Sequence, residues 1–112
     1  MHTALRRKIL ISYAQQDKDW LDRLRDHLRP LERASLLESW DETRIQPGQV
    51  REQMIAAALA EARVVVILVS KDYLASDVLI EKELPCILKA AEGGDVTLIP
   101  VIIGHCSVDA VP

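Results

Sequence analysis

Three short runs of this chain carry residues able to do chemistry. Ser12-Tyr13 closes a β-branched segment, and Trp40-Asp41 opens a loop. Ser70-Lys71-Asp72 ends an unbroken apolar run and is followed by a helix bearing Glu81 and Glu83. These are the residue types of a site for a polar ligand. Carboxylates stabilise positive charge, hydroxyls hydrogen-bond, aromatic faces stack, and a lysine can meet a phosphate. Each also has a plain structural use. A serine can bond its own backbone, a loop aspartate can cap a turn, an aromatic at a strand end is commonly core, and a glutamate on an amphipathic helix is commonly solvated. A Gly-rich phosphate loop and a metal-ligand cluster are both missing from the sequence, so those chemistries find no support.

The elements that must position these residues centre on Arg63 to Pro85. Val64 to Val69 is continuously apolar and β-branched, the pattern of a strand covered on both faces, as in a parallel sheet. Open α/β sheets place ligands just beyond the carboxyl ends of such strands, which is where Ser70-Lys71-Asp72 falls. Lys8 to Tyr13 reads as a first strand. A helix follows from Asp17, with Trp20, Leu21, Leu24, Leu28 and Leu31 as its apolar stripe, Asp17 and Asp19 at the positive end of its dipole, and Pro30 at its end. Leu36 to Trp40 fits an edge strand, and Asp41 to Gln49 is a loop punctuated by Pro47-Gly48. A second helix from Val50 carries Met54, Ala57, Ala58 and Ala62. After the central strand, Leu79, Ile80, Leu84, Ile87, Leu88 and Ala91 form a third helical stripe that Gly93-Gly94 stops, and Val96 to Ile103 reads as a fourth buried strand.

Composition narrows the class. At 112 residues, 49% hydrophobic and 28% charged, the chain suits one domain with its own core. A net charge of −3, from 14 basic and 17 acidic residues, gives no strongly basic face for nucleic acid. Cys86 and Cys106 lack metal-type spacing and read as reduced thiols. There is no apolar run of about 18 residues for a membrane span, and MHTALRRK has no signal-peptide core, so a cytoplasmic protein is expected.

Four strands alternating with three helices, joined by right-handed crossovers, predict a flavodoxin-like, doubly wound parallel α/β sheet of order 2-1-3-4. The switch point then lies between strands one and three, with Ser12-Tyr13-Ala14-Gln15 opposite Ser70-Lys71-Asp72 and the loop after Trp40 leaning over.

The runs ILISYAQQDKDWLDRL, WDETRIQPGQ, VVVILVSKDYLASDVLIEKELP and LIPVII, in this order, resemble the successive boxes of a bacterial-type Toll/interleukin receptor (TIR) domain. The resemblance covers nearly the whole chain. Such domains continue through a fifth strand, so residues 1–112 are expected to be a single TIR-like domain, truncated at its C-terminus and part of a longer protein. The resemblance implies one of two functions. Many bacterial and plant TIR domains cleave NAD between nicotinamide and ribose, with NAD as substrate and no cofactor, whereas many animal adaptor TIR domains only bind other TIR domains.

The family's catalytic glutamate precedes a leucine on the helix after strand three, and Glu83-Leu84 matches it. Helical geometry alone does not choose. At about 100° per residue, Glu83 lies roughly 85° to one side of the core stripe and Glu81 roughly 75° to the other. Glycosidic cleavage through an oxocarbenium-like state needs a carboxylate beside the ribose, and since nicotinamide departs neutral, one acid can suffice. Under this reading Tyr13 and Trp40 stack on nicotinamide or adenine, Asp41 binds ribose hydroxyls, Ser12 and Ser70 line the pocket, and Lys71 meets the pyrophosphate. Ala14 stands where relatives often carry a polar or basic residue, and Leu79-Ile80 replaces the Trp-Cys pair of plant-type relatives. His2, His27 and His105 match no family site.

The alternative is a non-catalytic TIR–TIR interaction module acting through the 41–49 loop, with Arg44, Ile45, Pro47 and Gly48 as its contact surface. The two are compatible, because family enzymes work when assembled. The expected partners are NAD, other TIR domains, and sensor or effector domains of a longer protein in bacterial defence or cell-death signalling; direct nucleic-acid and membrane binding are not expected. A phospho-accepting receiver domain shares the architecture but needs acids at the ends of strands one and three, where this chain has Ser12-Tyr13 and Val69-Ser70.

Overall fold

Alternate residues of the central strands belong to two separate cores, which makes the sheet the middle layer of three. In the computed structural model, which describes residues 8–94 and 96–103, Leu10, Val65 and Ile67 pack on one side with Ile55, Ala58, Leu79 and Ile87. Ile11, Val66 and Leu68 pack on the other with Leu21, Leu24 and Leu28. Side chains of a strand point to opposite faces in turn, so a strand buried on both must be apolar throughout. That is why β3 reads as a continuous run.

The strands are β1 (Lys8–Ser12), β2 (Glu38–Trp40), β3 (Ala62–Val69) and β4 (Thr97–Ile102). They form one sheet in the order β2-β1-β3-β4, all pairs parallel, with Leu10 in register with Trp40 and Val65, and Val66 with Ile99. The flavodoxin-like prediction therefore holds. α1 (Lys18–Arg33) covers one face, while α2 (Arg51–Glu61) and α4 (Leu84–Glu92) cover the other.

Several local expectations change. α1 does not stop at Pro30 but runs through it to Arg33, because a proline in the last turn removes only one donor and the chain recovers its bonds immediately after. Ser35 takes a left-handed φ of 59°, and the Leu36 N–H reaches the Leu31 carbonyl at 2.9 Å, a Schellman ending with serine where glycine is usual. In α2 the buried residues are Ile55 and Ala58, whereas Ala57 is exposed and Ala62 already belongs to β3. Ser70-Lys71-Asp72 is not a free turn but the start of a short helix, α3 (Lys71–Ala75), capped by the Ser70 hydroxyl.

The largest departure is in the helix after it. Val78–Glu83 is π-helical and leads directly into α4, with the Leu84 N–H bonded to the Leu79 carbonyl. Pro85 explains this. It cannot donate to the Glu81 carbonyl and its ring clashes there, so the turn ahead of it widens to the five-residue spacing.

β4 is not the buried strand its composition suggests. It lies at the sheet edge, with Ile99 43% exposed and Val101 and Ile102 also open, and among the described residues no element covers them. An edge position also accommodates Pro100, since only one side of an edge strand pairs. Cys86 is a free, exposed thiol; Cys106, His2 and His105 lie outside the described residues. No described helix is long and apolar enough to cross a membrane.

This asymmetry across one sheet can be measured. Ile67→Ala, at a buried position, should cost about 2–5 kcal/mol in urea denaturation. Ile99→Ala on the open face of β4 should cost under about 1 kcal/mol. Equal losses would contradict the open face.

Candidate functional site

The π-helical turn decides which acid faces inward. A wider turn advances fewer degrees per residue than the regular helix assumed from sequence, and it leaves Glu81 exposed while Glu83 is only 6% exposed. A buried carboxylate is costly unless paired and hydrogen-bonded, and Glu83 is both. Its Oε2 accepts from the Ser12 hydroxyl at the carboxyl end of β1, and its Oε1 accepts from the Arg51 guanidinium at 2.8 Å. Arg51 is the first residue of α2, and its Nε donates to Glu42 Oε2 at 3.0 Å. Glu42 sits in a 3-10 turn over Glu42–Arg44 inside the loop that follows β2.

The network continues inward. Ser12 Oγ lies 2.9 Å from the Tyr73 hydroxyl. Since Ser12 spends its proton on Glu83, Tyr73 donates to Ser12. Burial pushes the Tyr73 phenol up to about 12, the Glu83 charge adding to the effect and the bond to Ser12 opposing it. Burial works against the Arg51 charge, but Glu42 and Glu83 outweigh it and the net shift is upward. The chain Glu42–Arg51–Glu83–Ser12–Tyr73 thus joins the loop after β2, α2, the π-helical turn, β1 and α3.

Two cavities adjoin this network. The larger, about 810 Å³, runs between α2 and α4 and includes Glu83, Ile55, Leu59, Lys82, Cys86 and Val96 in its wall. The smaller, about 440 Å³, opens at the carboxyl end of β1 among Tyr13, Ala14, Gln15, Gln16, Glu42, Asp72 and Ser76. Arg51 and Val78 line both, so they form the partition between them. Both volumes fall in the range of small-molecule sites. No group of three or more potential metal ligands occurs among the described residues.

The family model described as TIR domain matches residues 9–112. This chain belongs to the TIR domain family. Among curated proteins it is 28% identical over 98 residues to the uncharacterized protein y4lF of Sinorhizobium fredii (strain NBRC 101917 / NGR234), covering 88% of this chain but only 30% of that relative. Among solved structures, the TIR domain of the Toll-related receptor TRR-2 from Hydra magnipapillata superposes with a TM-score of 0.68 at 23% identity, over 93% of this chain and 74% of the other. The TIR domains of the activated Roq1 resistosome, which directly recognizes the pathogen effector XopQ, give 0.66 at 22% identity, over 85% and 56%. A metazoan TIR-STING receptor from C. gigas gives 0.70 at 20% identity, over 93% and 33%. At these identities the likeness is one of fold.

Within this TIR domain the residues singled out from sequence fall in different places. Ser12 touches Glu83, and Tyr13 lines the smaller cavity while burying its ring on the α1 side. Trp40 packs in the α2-side core and lines neither cavity. Asp41 is fully buried and caps the 3-10 turn through the Thr43 N–H and hydroxyl, with Arg25 3.7 Å away, and its Oδ2 has no hydrogen-bond partner. Ser70 caps α3 and donates to Asp17, and Lys71 is exposed and lines neither cavity. In the loop, Ile45 packs against the chain's own core, so it is not a free contact residue. Arg44 is exposed 3.9 Å from Glu32, and Pro47 and Gly48 form an exposed turn in which Gly48 takes a φ of +92°.

Sequence reasoning missed Arg51 and Tyr73. Arg51 did leave a signal, since a cation in the first turn of a helix opposes the dipole and needs an anionic partner.

Tyr13 is also pushed up to about 12, by burial and by the charges of Glu42, Asp41 and Asp22 against Arg25. The chain has only these two tyrosines. The native state holds their protons above the ordinary phenol value of about 10, so it binds more protons than the unfolded chain between about pH 10 and 12. Stability should therefore hold up to about pH 10 and fall as pH rises through about 12. Tyrosinate ultraviolet absorbance of the native protein should show no titration near pH 10; a step there would contradict the burial.

Proposed function

We propose that this TIR domain cleaves the nicotinamide–ribose bond of NAD, as a glycohydrolase or cyclase, with Glu83 as the catalytic carboxylate. The observation that supports it most is a single one. Glu83 is an ionisable group buried beside a ligand-sized cavity, held by residues from separate elements, at the position the TIR motif gives its acid.

Such a carboxylate can do what the reaction asks. As the bond to nicotinamide stretches, positive charge grows on the ribose, and a fixed carboxylate in a water-poor site stabilises that charge without reorganising. Ser12 orients one oxygen, and Tyr73, kept protonated, holds Ser12. Nicotinamide leaves neutral, so no second acid is needed to protonate it. Water, or another nucleophile of the ADP-ribose fragment, then takes the vacated carbon.

Homotypic TIR assembly, a longer protein with sensor or effector domains, and a role in bacterial defence or cell death complete the reading. The bacterial relative, of which this chain spans 30%, is in keeping with a module of something larger. A loop-mediated interaction role would draw on the exposed Pro47, Gly48 and Val50 rather than on Ile45.

Nicotinamide release from NAD, followed at high protein concentration, tests the enzyme reading. Glu83→Gln keeps the shape and removes the charge, and should lower the rate at least about a hundredfold. Equal release by parent and variant, or none from either when clustered, would remove NAD cleavage by Glu83.

A further inference from the structure

Arg51 occupies a position that positioning Glu83 alone does not require. It bridges two carboxylates, Glu42 and Glu83, and its side chain is part of the wall between the two cavities. In the smaller cavity it is the only cation among the described lining residues, where Glu42 and Asp72 are both acids. Lys71, assigned from sequence to a pyrophosphate, does not reach that cavity. Without Arg51 the smaller cavity is lined by acids and neutral groups and would repel an anion. With it, an anion has one place to go.

The burial of the two partners is unequal. The Glu83 side chain is 4% exposed and fixed from its other side by Ser12, whereas the Arg51 side chain is 35% exposed. The long, partly solvated arm is the half of the pair able to move. A guanidinium presents five donors, of which the bonds to Glu42 and Glu83 use two, and its planar fork suits phosphate oxygens as well as carboxylate.

We infer that Arg51 is a partner-exchanging specificity residue: it binds the substrate's diphosphate from the smaller cavity and in doing so releases Glu83 toward the ribose. This rests on the NAD-cleaving reading of the site and adds to it the group that selects the substrate. In the resting arrangement Arg51 occupies the Glu83 oxygen nearest the partition, which blocks that oxygen from a developing cation. The incoming diphosphate competes with Glu83 for the guanidinium, Glu42 keeps the arm anchored through Nε, and the partition opens as the arm swings. Binding of the remote diphosphate thereby frees the reacting carboxylate, so that a substrate lacking the diphosphate leaves the acid occupied.

Calorimetric binding of ADP-ribose separates this from cleavage, because the ligand carries the diphosphate and no nicotinamide. Arg51→Gln should weaken ADP-ribose at least about tenfold, the loss of a charged hydrogen-bonding partner. Glu83→Gln should bind it tighter than the parent, by about tenfold, since the competing carboxylate charge is gone. Arg51→Lys keeps a charge but not the fork, and should weaken binding by at least about threefold; it carries the test if Arg51→Gln fails to fold, since unchanged binding in Arg51→Lys would then overturn the assignment. ADP-ribose binding that is absent in the parent, unchanged in Arg51→Gln, or no tighter in Glu83→Gln would overturn the assignment. If these shifts appear but no nicotinamide is released, Arg51 keeps its role and the NAD-cleavage reading falls alone.

Discussion

The buried Glu83 carboxylate constrains the rest of the domain. A charge this poorly hydrated is costly without compensating partners, and in the resting domain those partners come from distant parts of the chain. Ser12 is supplied by the end of β1 and Arg51 by the start of α2. Their meeting requires β1 and β3 to be neighbours, with α2 and the π-helical turn on the same face, and the observed sheet order provides both. The fold is thus the device that brings a hydroxyl and a guanidinium to one carboxylate. In turn the carboxylate ties the loop after β2, through Arg51 and Glu42, to the helix after β3.

Pro85 has an outsized effect on that arrangement. By denying a regular bond to the turn before it, it imposes the π-helical winding that rotates Glu83 toward the sheet and leaves Glu81 in solvent. Rare π turns carry a cost in backbone geometry, and they recur where a side chain must be aimed. Here the aim is at the carboxyl end of β1, on the face away from α1. The same end of the sheet carries the Ser70 cap and its bond to Asp17, so the two loops flanking the smaller cavity are pinned by side chains as well as by backbone.

Much of the architecture was legible in the sequence because the signals are local. The continuous β-branched run of Val64 to Val69, bounded by polar residues, reads as a doubly covered strand, which β3 is, and its spacing from Lys8–Ser12 and Thr97–Ile102 gives the βα rhythm. What the sequence did not give up depends on tertiary surroundings. The order 2-1-3-4 already puts β4 at the sheet edge, but its Leu-Ile-Pro-Val-Ile composition makes it look buried; how far its faces are exposed follows from which neighbours cover them, and the described structure supplies none on its outer side. Trp40 looks like a stacking surface beside the crevice, but the pleat turns its ring into the core. Ile45 reads as an exposed apolar residue in a charged loop, yet the loop folds it back on its own domain. The choice between Glu81 and Glu83 depended on a helix of regular pitch, and the pitch was not regular. Arg51 was hidden because its importance lies in two partners 9 and 32 residues away.

The coupling between Arg51 and Glu83 is the most direct measure of whether the buried carboxylate is held as described. A double-mutant cycle on unfolding free energy, with Arg51→Gln, Glu83→Gln and both together, isolates it. Partners at 2.8 Å with one side chain buried should give an interaction energy above about 0.5 kcal/mol and up to roughly 3 kcal/mol. Strict additivity of the two substitutions would mean that the pair does not form in solution, and the network built on it would have to be abandoned.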